Sequence, residues 1–175
     1  MIPLPIELQI LIFSVSGVTL KLADFWGEHE RSLPAYSSAI LTAVLFGSLA
    51  TQDPLNGALI FGLLLGVTVA QKVDRGNLGA GIIATILFAV LFQAPLPSLW
   101  LLIVVAIAAS LDEVGHDRST DIQYWYSTVF RFRPILKLVM IGVGVMTWIP
   151  YHLVINLLGF DLAYEGINLV LIHKK

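Results

Sequence analysis

SLWLLIVVAIAASLDEVGHDRSTD, residues 98–121, decides the fold. Fourteen residues, 98–111, carry no charge, and Asp112 and Glu113 follow at once. A straight helix needs about 20 apolar residues to cross a bilayer core. Fourteen residues at about 1.5 Å each reach only about 21 Å. As part of a membrane span, this segment would bring Asp112 to membrane depth, where a charge must face the bundle interior or a wet cavity. Composition places it in a membrane. The 175 residues are 57% hydrophobic and 13% charged, with mean hydropathy +0.86. A soluble domain is nearer ~45–50% apolar and ~25% charged. A soluble globular enzyme, a disordered tail and a nucleic-acid binder are excluded. The formal net charge of −2 offers no basic field for phosphate polymers. With no cysteine there is no disulfide, thiolate metal site or Cys nucleophile.

The same arrangement recurs on either side. Residues 8–20 form an apolar run between Glu7 and Lys21. MIPLPIELQ has no Lys or Arg, so the first segment reads as a retained span rather than a cleavable signal. Six spans are expected, at about 5–26, 34–50, 54–71, 78–92, 97–118 and 134–158, five of them opened by Pro at the first position. Residues 159–175 read as an interfacial helix or short extended segment. GVTLKLAD (17–24) resembles GVTVAQKVD (66–74), and AILTAVLF (39–46) resembles ATILFAVLF (84–92). The expected fold is therefore all-α. It is one polytopic transmembrane domain over 1–175, made of three αα-hairpin repeats at 5–50, 54–93 and 97–158.

The loops after the odd-numbered spans, with Lys137, hold eight of the ten Lys and Arg, and only Lys174 and Lys175 fall on the other side. The positive-inside rule puts those loops in the cytoplasm and both termini outside a cell membrane.

Eight of the twelve acidic residues lie at the ends of the odd-numbered spans. The clusters are Lys21, Asp24, Glu28, His29 and Glu30; Lys72, Asp74, Arg75 and Asn77; and Asp112, Glu113, His116, Asp117, Arg118 and Asp121. Carboxylates at a helix C-terminus oppose the macrodipole and call for a compensating cation. Asp112 and His116 are one helical turn apart, as are Glu113 and Asp117. Hard oxygen ligands with imidazole suit Mg²⁺ or another divalent cation, and the metal ligands expected are Asp24, Asp74, Asp112, Asp117 and Asp121. Lys21, Lys72, Arg75 and Arg118 are the expected phosphate ligands. His116 is the expected proton carrier, with Asp112 and Glu113 beside it as catalytic residues. Ion pairing alone would account for the same clusters. Arg131, Arg133 and Lys137 read as a headgroup anchor.

The DRSTD run, residues 117–121, resembles acidic motifs of membrane enzymes that bind metal-diphosphate or CDP-alcohol substrates, without the glycines and further aspartates of those families. Charge pairs ending three odd-numbered helices are similar to those of mitochondrial carriers, whose proline motif is missing here. The expected function is binding of a divalent cation and a phosphate-bearing lipid or isoprenoid at the cytoplasmic face, with membrane lipid as partner. The alternatives are a cation or solute transporter or channel gated by charge pairs, and a non-catalytic accessory protein.

Overall fold

Local sequence sets each helix start and stop. In the computed structural model, which describes residues 4–29, 32–120 and 133–172 (backbone alone for 117–120 and 172), seven helices are present among the described residues. They are α1 (Ile6–Glu28), α2 (Ser32–Ala50), α3 (Pro54–Val69), α4 (Gly76–Leu91), α5 (Leu99–Thr120), α6 (Pro134–Val145) and α7 (Tyr151–Ile172). The Asp53 carboxylate accepts the Leu55 and Asn56 amides at 2.8 and 2.9 Å, with Pro54 at the first turn, and so opens α3. Helices α3, α4 and α6 close alike. A left-handed residue (Gln71, Gln93 or Thr147) follows the last turn, and the next amide bonds back five residues, as Lys72 does to Val67. Four helices, α1, α2, α5 and α7, are long and apolar enough to cross a membrane, while α3, α4 and α6 are shorter and apolar. The chain is an all-helical, membrane-type fold.

The segment expected as one helix over 134–158 is two. Trp148 bonds back to the Val143 carbonyl, Thr147 turns left-handed, and Pro150 precedes a new helix. The expected tail, residues 159–175, is instead the second half of α7 up to Ile172. Three glycines set how α7 lies. Gly17 of α1 abuts Phe160 and Tyr164, Gly159 abuts Ile10 and Ser14, and Gly144 abuts Val154. Residue numbers rise together along α1 and α7, so the two helices are parallel. The described chain ends, Leu4 and Ile172, therefore lie at opposite ends of the bundle. The expectation was of both termini on one face; among the described residues the break at 146–150 reverses the chain once more.

Small residues let these helices approach. Gly62 and Gly66 of α3 receive Val105 and Ala109 of α5, and Gly81 of α4 meets Ala39 of α2. Neighbours in space run α4, α2, α1, α7, α6, α5, α3. The pairs expected as copies of one hairpin differ here: α1 packs on α2, whereas α3 packs on α5 and α4 on α2. Phe13, Leu49, Leu59, Ile60, Leu101 and Leu153 fill the core. Ile83, Leu87, Ile103 and Ile107 point outward and are more than half exposed, as lipid-facing side chains would be.

Candidate functional site: a charged cavity at one end of the bundle

Charged side chains near one end of the bundle turn inward and meet. All seven helices and the α3–α4 connection line a cavity of about 690 Å³. Eight expected site residues line it: Lys21 and Asp24 of α1; Lys72, Asp74 and Arg75 of the connection; Asp112, Glu113 and His116 of α5. For Asp117 and Arg118 only the backbone is described, and Asp121 lies outside the described residues. Four further residues line it: Arg133 before α6 and Lys137 on α6, which were read as a headgroup anchor, and Asp161 and Tyr164 on α7, which were read as part of the tail. The signal for the last two was Pro150. A helix starting there places Leu157, Phe160, Asp161 and Tyr164 at spacings of three and four, on one face.

Most of the charge is compensated within the protein. Lys21 Nζ lies 3.0 Å from Asp24 Oδ2. Arg75 Nη1 stands 3.8 Å from Asp24 Oδ1 and 3.9 Å from Glu28 Oε1, which are loose contacts. Asn77 donates to the Ala23 carbonyl at 2.9 Å and fixes the start of α4 against α1. Asp112 is 2% exposed, and its two oxygens accept the Ile135 and Leu136 amides at 2.8 and 2.7 Å. A carboxylate on α5 thus caps the first turn of α6, whose positive dipole end offsets its charge. Arg133 Nη2 reaches both oxygens of Glu113, at 3.1 and 3.2 Å. The Tyr164 ring lies between Lys21 and Arg133, its centroid 5.1 Å from the Lys21 ammonium and 5.6 Å from the Arg133 guanidinium. Burial works against the charge on Arg133, but the Glu113 carboxylate and Tyr164 outweigh it, and the pKa rises. Lys137 Nζ and Asp161 Oδ2, 2.7 Å apart, join α6 to α7.

The macrodipole argument called for a cation beside each carboxylate. For Asp24 and Glu113 the protein supplies Lys or Arg, and for Asp112 a helix N-terminus. Among the described residues, no three His, Asp or Glu come together as a metal ion requires. Asp24, Asp74 and Asp112, the described side chains of the expected ligand set, are not gathered into such a group, and the Asp117 side chain and Asp121 lie outside what is described. Below the charges the wall is apolar: Phe46 of α2, Leu63, Leu64 and Val67 of α3, Leu78 and Ile82 of α4, and Leu157 and Phe160 of α7. The far end is packed shut by Phe13, Leu49, Leu59 and Ile60.

The chain matches no family model, no curated protein and no solved structure.

Proposed function

We propose that this is an integral membrane protein whose cavity holds an amphiphile with a phosphate head, a phosphate-bearing lipid or isoprenoid. One observation carries the reading: a single cavity joins a charged rim to an apolar wall. Its size falls within the range of ordinary ligand pockets, about 300–1,000 Å³. Arg75 is the first choice for the head group. Its ion pairs are the long ones, and its side chain is 34% exposed, so a phosphate could take it from Asp24 and Glu28 at little cost. Asp112 and Glu113 act in this reading as anchors of α6 rather than as reacting groups. No metal enters it. A transport path would have to cross the packed far end, where the buried polar side chains include Gln9, Asn56 and Asn156.

The charged end faces the cytoplasm in this reading. Once α7 returns toward that end, each of the ten Lys and Arg adjoins it in the chain, Lys174 and Lys175 included. Glu7 and Asp53 are the charged residues of the other end. Such one-sidedness is what the positive-inside rule selects.

Thermal unfolding in detergent tests the binding. A phospholipid at 100 times its Kd should stabilise by about 2.7 kcal/mol. Diacylglycerol, which lacks the phosphate, should give a smaller shift. Arg75→Gln should unfold as the wild type does without lipid and lose most of the phospholipid shift. Equal shifts with both lipids, or none with either, would contradict the proposal.

A further inference from the structure

Six of the seven helices are packed in sequence around the cavity, from α4 through α2, α1, α7, α6 and α5, and α3 packs on α5. The circle does not close along its length. Although consecutive in the chain, α3 and α4 make no extended contact. Helix α2 meets α3 beside their short connection, where Gly57 lies against the Ala50 carbonyl. Among the described residues the wall is a horseshoe with one slot. The α2–α3 connection closes its far end, and the α3–α4 connection, carrying Lys72, Asp74 and Arg75, spans it at the charged end. Leu63, Leu64 and Val67 form one side of the slot and Leu78 and Ile82 the other. Thr85, the polar side chain there, gives its hydroxyl to the Gly81 carbonyl. Outside the slot, Leu65 and Val69 on α3 and Ile83, Leu87 and Val90 on α4 are exposed and apolar. The slot thus opens within an apolar belt that a bilayer would cover, while water reaches the charged rim.

We propose that a membrane phospholipid enters sideways through this slot, its hydrocarbon chain seated between α3 and α4 and its phosphate under the connection at Arg75. This rests on the amphiphile-binding reading above and adds the source of the ligand and its route. A slot with apolar sides and no unpaired donor suits a hydrocarbon chain. The cation at its charged end suits a phosphate. A ligand arriving from water would meet the rim first and would have no need of a gap in the membrane-facing wall.

The test uses the full chain in vesicles containing a phospholipid with a diazirine in its acyl chain. After illumination, adducts are mapped by mass spectrometry. The expected adducts fall on the inward residues Leu64, Val67, Leu78 and Ile82, and excess unlabelled phospholipid removes them. Ile82→Trp, which fills the slot, should reduce them at least fivefold, and labelling of outward Ile83, Leu87 and Val90 should persist. Adducts on the outward residues alone would overturn the slot, as would inward labelling that Ile82→Trp leaves unchanged. Glycerol phosphate, a head without a chain, separates the two proposals. A melting shift with glycerol phosphate that needs Arg75, without inward adducts, overturns the slot and leaves the head-group site standing. With neither signal, both proposals fall.

Discussion

Asp112 is the residue on which the charged end turns. Its carboxylate accepts two amides of α6, so removing it leaves two buried donors without a partner. Asp112→Ala should cost about 1–3 kcal/mol in detergent unfolding, the penalty of unmade hydrogen bonds at a buried site. Glu28→Gln should change stability little, because its partner lies 3.9 Å away and its side chain is 46% exposed. Equal losses for the two would deny Asp112 its capping role. Depth made most of the cluster legible. Lys21, Asp24, Asp112 and Glu113 interrupt runs too short to cross a bilayer, and burial inside the bundle was the remaining option. What each carboxylate faces was not legible. Asp112 meets backbone amides 23 and 24 residues further on, and sequence spacing carries no sign of such a contact.

At the scale of elements, glycine spacing and proline position differ in what they revealed. Gly62 and Gly66, four apart as in close-packing helices, do pack against α5. Pro150 was absorbed into an apolar run, and one expected helix became α6 and α7. Helix α6 has 12 residues and a length of roughly 18 Å. Hydropathy could not mark the break, since apolar residues continue through it. The left-handed Thr147 marks it, yet its β-branched side chain is a poor match for that conformation and no turn residue announces it. The parallel seat of α7 on α1 depends on Gly17, where an added methyl would strike the Phe160 carbonyl oxygen. Gly17→Ala should destabilise by about 1–3 kcal/mol, the usual cost of overpacking. Gly142→Ala has open space at its Cβ and should gain about 0.5–1 kcal/mol from helix propensity. The two melting temperatures, read side by side, should move in opposite directions.

Seen whole, the molecule is asymmetric from one end of the bundle to the other. Charges gather at one end around a cavity, and the other end is packed with apolar side chains around the buried amides of Gln9, Asn56 and Asn156. The all-α membrane class and the charge bias were plain in composition and loop charge. The number of helices was not, and topology depends on whether that number is odd or even. In the proposed orientation, with α1 and α7 parallel, the described ends Leu4 and Ile172 lie on opposite sides of the membrane. Epitope tags at the two ends, probed in intact and in permeabilised cells, test this directly. The account predicts that the N-terminal tag is reached in intact cells and the C-terminal tag only after permeabilisation. Both tags reached in intact cells, or both reached only after permeabilisation, would contradict it.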